Sequence, residues 1–173
     1  MMTLKKVLFS KISFHFLMFA FFLFVSFFVL SYAYYSQYVD MLEPCNLCLY
    51  QRYPYWVALG LSIFGLFLYK KSKIRFVLYV FLFFTFAFNV GISFYHFGIE
   101  QVWWTDHEIC GSALGDEDDI DEMRKQILAT PVVQCAIVQW SLFGLSMTGY
   151  NFILSCFLMI ISFLGIIKKR MSK

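Results

Sequence analysis

Four long apolar stretches, separated by short polar breaks, set the pattern of this 173-residue chain. A helix needs about 20 predominantly apolar residues to cross a bilayer. The stretches that meet this length run over about 12–35, 49–69, 76–97 and 142–167. The second holds Arg52 near its start, and the other three carry no formal charge. Their apolar residues surround every face, which suits helices bathed in lipid. The pattern predicts an all-α, integral membrane four-helix bundle, with residues 1–173 forming a single membrane domain. The first stretch follows Lys5, Lys6 and Lys11, as a signal peptide would, but its apolar run of about 24 residues is too long. A signal peptide's run is roughly 7–15 residues, and no convincing small-x-small cleavage site follows.

Charge orients the bundle. Lys5, Lys6 and Lys11, then Lys70, Lys71, Lys73 and Arg75, then Lys168, Lys169, Arg170 and Lys173 account for eleven of the 14 basic residues. Every one of the 11 acidic residues lies outside these three clusters, between Asp40 and Glu122. The positive-inside rule then places both termini and the 70–75 link in the cytoplasm. Residues 36–48 and 98–141 become outer loops. In the second, Trp103 and Trp104 suit an interfacial aromatic belt. From Asp116 to Ala129 an acidic start is followed by Ile120, Met123, Ile127 and Leu128 at helical spacing. That segment reads either as a short interfacial helix or as a solvated acidic loop.

Composition narrows the function. Apolar residues make up 61% of the chain and charged residues 14%, against about 25% charge in a soluble domain. A soluble globular enzyme and a disordered chain are excluded. The net charge of +3 is too small and too scattered for a nucleic-acid partner.

The cysteines carry the chemistry. Cys45 and Cys48 form Cys-Asn-Leu-Cys in the first outer loop, Cys110 and Cys135 lie in the second, and Cys156 lies within the fourth stretch. The four loop cysteines therefore share one side of the membrane. A Cys-x-x-Cys can be half a zinc site, a redox pair or a structural staple. Cys45, Cys48, Cys110, Cys135, His96 and His107 offer enough donors for zinc, and exported loops commonly carry structural disulfides.

The expected local geometry favours redox chemistry. Pro44 suits a first helical turn, which would put Cys45 and Cys48 where backbone N–H groups and the helix dipole stabilise a thiolate. Arg52, four residues after Cys48, would share their face. There its permanent charge would lower the Cys48 thiol's pKa or hold an acceptor's carbonyl oxygen. No Gly-rich phosphate loop is present, and Leu49 follows Cys48 where a haem-attachment motif has His. A quinone is the remaining lipid-soluble electron acceptor.

The segment Glu-Pro-Cys-Asn-Leu-Cys-Leu-Tyr-Gln-Arg, Glu43 to Arg52, closely resembles the first periplasmic-loop signature of the DsbB family, bacterial inner-membrane disulfide bond formation proteins. Tyr95 to Glu100 with Trp103-Trp104, and Pro131 to Cys135 followed by Trp140 and Phe143 to Met147, resemble further family segments. The resemblance covers essentially the whole chain. It implies a thiol:quinone oxidoreductase that reoxidises a periplasmic DsbA-like thioredoxin-fold oxidase and reduces ubiquinone or menaquinone in the inner membrane. It implies that Cys45 and Cys48 form the pair beside the quinone. Cys48 would form the charge-transfer complex or adduct, assisted by Arg52, with His96 near the same end of the third helix. It implies that Cys110 and Cys135 form the pair that meets the partner. Cys110 would take the mixed disulfide and Cys135 would then attack Cys45. It gives no resident metal.

Overall fold

The computed structural model describes residues 14–104, 135, 136, 138 and 140–171. In chain order its elements are helices α1 (Phe14–Tyr38), α2 (Asn46–Tyr50), α3 (Tyr53–Leu68) and α4 (Ser72–Glu100), strands β1 (Ser141–Leu142) and β2 (Leu145–Ser146), and helix α5 (Met147–Met171). Among the described residues, three helices are long and apolar enough to cross a membrane: α1, α4 and the Met147–Lys168 part of α5. The protein is a helical, multi-pass membrane protein. The Cys110 and His107 positions and the segment 116–129 lie outside the described residues.

The second apolar stretch is not one helix, because Pro54 divides it. Proline has no N–H to give to the carbonyl four residues back, and its ring clashes there. The chain turns at Gln51 and Arg52 and restarts, with Tyr55 and Trp56 N–H groups both donating to the Arg52 carbonyl (3.1 and 3.2 Å). Proline then sits in the first turn of α3, where it is tolerated. At 16 residues, α3 rises roughly 24 Å at 1.5 Å per residue. The fourth stretch also begins differently from the expected 142–167. Residues 141–146 form a two-stranded hairpin, Ser141 opposite Ser146 and Leu142 opposite Leu145. Its two turn residues, Phe143 and Gly144, both have positive φ (50° and 79°), the conformation that matches strand twist in a two-residue hairpin. Hydropathy alone does not separate such a hairpin from the start of a helix.

Helices pack through stripes spaced three and four residues apart. Phe19, Phe22, Ser26 and Leu30 form the buried stripe of α1, and Leu82, Phe86, Asn89, Ser93 and His96 that of α4. This spacing is that of ridges packed at shallow crossing angles. Phe19 stacks on Tyr79 with ring centroids 4.8 Å apart, and Phe22 on Phe86 at 5.8 Å. The phenylalanines Phe24, Phe28, Phe67 and Phe84 are more than 60% exposed, which fits surface facing lipid tails rather than water. His15, near the start of α1, lies 3.2 Å from the Tyr79 hydroxyl through Nδ1.

Candidate functional site

The site forms where the C-terminal ends of α1 and α4, the short α2 and the start of α5 converge. Cys45 is the N-cap of α2, with extended backbone (φ −70°, ψ 168°). Its sulfur stands where Ser or Asp usually does and accepts the Cys48 backbone N–H at 3.4 Å. Cys45 thus precedes the helix rather than lying inside its first turn, and Pro44 lies one residue further out. The Cys45 and Cys48 sulfurs are 3.1 Å apart and both thiols are free.

Cys45 is 6% exposed and packs in a small cluster with Leu47, Ile99 and Cys135. Trp104 completes that cluster by folding back over α4. Its ring nitrogen donates to the Tyr95 carbonyl (3.0 Å), and its ring occupies the place where a side chain on Gly98 would stand. Only glycine permits that approach, so Gly98 and Trp104 act together. Cys135 is buried and disulfide-bonded. Cys45, Cys48 and Cys156 are free thiols, so Cys135's bonding partner lies outside the described residues.

His96 joins the cysteines to a buried polar network. Its Nε2 is 3.6 Å from the Cys45 sulfur and 3.9 Å from Glu100 Oε1. Its Nδ1 is 2.9 Å from Gln51 Nε2 and 3.3 Å from Thr148 Oγ1. Asn151 Nδ2 donates to Gln51 Oε1 (2.7 Å) and to Ser93 Oγ (2.8 Å). The Tyr55 hydroxyl donates to Asn151 Oδ1 (2.5 Å). Ser146 Oγ donates to Glu100 Oε2. Burying these groups in an apolar bundle is costly unless each finds partners, and here they bond one another across α3, α4, α5 and the turn that follows α2.

Arg52 lines the same cavity but its guanidinium turns towards α1. Nη1 donates to Gln37 Oε1 (2.6 Å) and Nη2 to the Ala33 carbonyl (3.4 Å). The guanidinium carbon lies 5.0 Å from the Tyr34 ring centroid. The electrostatics of the pair differ accordingly from the expected Arg52–Cys48 effect. The Cys48 thiol beside it holds the Cys45 thiol down at about 4; burial opposes this, and His96 and the Cys48 N–H add to it. Cys48 is pushed up, first by its hydrogen bond to Cys45, then by burial, with Glu100 contributing. Within this hydrogen-bonded pair the shift is towards the thiolate at Cys45 and towards the thiol at Cys48.

A cavity of about 490 Å³ opens beside these groups. Cys45, Cys48, Cys135, Arg52, His96 and Gln51 all line it, and most of its remaining wall is apolar, including Phe28, Tyr32 and Leu154. Its size lies within the roughly 300–1,000 Å³ of small-molecule sites. Of the six residues picked from sequence, Cys45, Cys48, Cys135, Arg52 and His96 converge on it, and Cys110 lies outside the described residues. Gln51, Glu100 and Asn151 are additions that the sequence reading missed. The donor atoms of Cys45, Cys48 and His96 also lie within 4.8 Å of one another, close enough to share a metal ion.

Residues 15–165 match the family described as disulfide bond formation protein DsbB. The chain belongs to the DsbB family. Proteins named disulfide bond formation protein B are similar to it: one from Nitrosococcus oceani is 30% identical over 141 residues, covering 77% of this chain and 80% of the relative. Another from Xylella fastidiosa is 30% identical over 127 residues, covering 70% and 72%. An uncharacterised Rickettsia prowazekii protein is 29% identical over 140 residues, covering 80% and 78%. As a DsbB-family member, this chain is a membrane protein of disulfide bond formation, and the family implies disulfide oxidoreductase activity.

Proposed function

We propose that this chain is a thiol:quinone oxidoreductase of the bacterial inner membrane. It spans the membrane four times with both termini cytoplasmic, and it reoxidises a periplasmic DsbA-like dithiol oxidase. The observation that carries this reading is one cavity lined both by a free dithiol, Cys45 and Cys48, and by a disulfide-bonded cysteine, Cys135. Thiol–disulfide exchange needs a thiolate within reach of a second sulfur pair. A metal site uses the Cys45, Cys48 and His96 donors but has no need of a disulfide beside them.

In this reading the partner's thiolate attacks Cys110 of a Cys110–Cys135 disulfide, and Cys135 leaves as a thiolate. Cys135 attacks Cys45 of an oxidised Cys45–Cys48 pair, and Cys48 leaves. The partner's second thiolate releases Cys110, which displaces Cys45 from Cys135 and restores its own disulfide. The partner has then become a disulfide, and its two electrons rest on Cys45 and Cys48. Free Cys45 and Cys48 beside a disulfide-bonded Cys135 is the state that this sequence reaches. A quinone, when bound, supplies an acceptor for two electrons and two protons. The apolar wall suits its ring, and Arg52 and His96 are the residues that would hold it.

The test supplies purified protein with a reduced thioredoxin-fold dithiol protein, with ubiquinone and menaquinone in separate reactions. Quinone reduction that depends on the dithiol and is abolished by Cys45→Ser or Cys48→Ser is expected. Unreactive, permanently oxidised cysteines would instead indicate staples, and stoichiometric zinc or copper in the purified protein would indicate metal handling.

A further inference from the structure

His96 is held between two kinds of neighbour, and the difference fixes where its proton sits. On the Nε2 side stand acceptors. The Cys45 sulfur already takes the Cys48 N–H, and the Glu100 carboxylate accepts rather than donates. On the Nδ1 side stand groups able to donate, the Gln51 amide nitrogen at 2.9 Å and the Thr148 hydroxyl at 3.3 Å.

The orientation of the Gln51 amide is itself set from further inside the bundle. Tyr55 donates its hydroxyl to Asn151 Oδ1, which leaves the Asn151 NH₂ facing Gln51 Oε1. Gln51 Oε1 is thereby used as an acceptor, and its NH₂ faces His96. Tyr55 in turn lies 3.5 Å from Ser155 Oγ, which accepts from Asn89 Nδ2 (2.8 Å). The donors run head to tail from Asn89, deep in α4, to the imidazole. A chain with one polarity strengthens each bond along it, and each link is buried or half-buried.

We infer that Tyr55, Asn151 and Gln51 are positioning residues that lock His96 as its Nε2–H tautomer, so that the imidazole presents a hydrogen-bond donor to the Cys45 sulfur. The tautomer stands on the geometry alone, while its use in thiol exchange rests on the proposed function. Reducing the Cys45–Cys48 disulfide with two electrons and one proton gives a Cys45 thiolate and a Cys48 thiol. A donor aimed at Cys45 stabilises that reduced state more than the disulfide, where the sulfur carries no charge. Stabilising the reduced form makes a pair more oxidising. The electrons come from the dithiol partner through Cys135, as set out above.

The tautomer is read directly by ¹⁵N NMR of histidine-labelled, detergent-solubilised protein. A His15→Asn/His107→Asn background leaves His96 as the single histidine. The expected spectrum has a protonated, pyrrole-type Nε2 and an unprotonated, pyridine-type Nδ1. Gln51→Met keeps similar volume without a donor, and Thr148→Val removes the second one. Together these should erase the tautomer preference and make Cys45–Cys48 less oxidising by about tenfold against a thiol redox buffer, about 30 mV for a two-electron couple. An Nδ1–H signal in the otherwise wild-type protein would overturn the inference whether or not the double variant folds. So would a folded double variant with an unchanged tautomer and an unchanged redox equilibrium. A locked Nε2–H tautomer in a protein that reduces no quinone would refute the proposed function and leave this inference standing.

Discussion

The reduced protein should hold one thiolate per chain across the whole neutral range, and pH is the perturbation that reveals it. An ordinary cysteine with a pKa of 9.0 is ionised in roughly one molecule per thousand at about pH 6. Cys45, held at about 4, is ionised in roughly 99% at the same pH. Thiolate absorbance in the ultraviolet, taken as reduced minus oxidised protein, should rise with a midpoint near 4 and then stay flat through about pH 8. The second thiol, Cys48, is shifted in the opposite direction and should add nothing in that window. Because the Cys48 thiol is the largest cause of the Cys45 shift, Cys48→Ala should move the midpoint several pH units up towards the ordinary value. The linkage sign is that of an acid depressed in the folded state. Its contribution to the reduced protein's stability is complete above about 9 and is lost as pH falls through about 4. A reduced protein without thiolate absorbance until about pH 8, or a Cys48→Ala midpoint that stays near 4, would refute this account of the pair.

Three further outcomes follow from single contacts. Under the proposed function, Arg52→Ala removes the charge-assisted hydrogen bond that the guanidinium would give to a quinone oxygen, worth about 1.5–3 kcal/mol. The apparent KM for quinone should rise roughly tenfold or more with the partner's KM little changed, and Arg52→Lys should restore only part, since an ammonium lacks the fork. Gly98→Leu drives side-chain atoms into the Trp104 ring and should cost about 1–3 kcal/mol as overpacking does, measured as a lower Tm with altered tryptophan fluorescence; unchanged fluorescence would mean that Trp104 does not lie over Gly98. Cys135→Ser should trap a reductant-sensitive complex between Cys110 and a DsbA-like protein on non-reducing electrophoresis, because the resolving thiol of that pair is gone; a folded variant that traps no partner would favour a stapled loop.

Hydropathy located the long helices well, because a bilayer-spanning length of apolar residues is a strong signal. The expected 76–97 became Ser72–Glu100, and 12–35 overlaps Phe14–Tyr38. It failed where backbone chemistry overrides hydropathy. Pro54 was visible in the sequence, and its missing N–H was reason enough to divide the second stretch into α2 and α3. The hairpin at 141–146 was marked only by Gly144 in an apolar run.

The Cys-x-x-Cys motif announced the thiols, but the groups that tune them lie far apart in sequence, and that is why they were missed. Gln51 meets Asn151 across 100 positions, and His96 meets Thr148 across 52. A signal was nonetheless present. Asn89, Ser93 and His96 in the third apolar stretch, with Glu100 just beyond its end, recur at spacings of four, three and four, and Thr148, Asn151 and Ser155 at three and four in the last. Each set forms one polar stripe on a helix that is otherwise apolar, and polar groups at membrane depth face the bundle interior or a cavity. Two such stripes must face each other or leave their groups unsatisfied. Since the ends carrying His96, Glu100 and Thr148 lie nearest the cysteine loops in sequence, the stripes also point to the end of the bundle where the thiols are held. The polar pattern of the third and fourth apolar stretches is thus as much a part of the candidate site as the cysteines themselves.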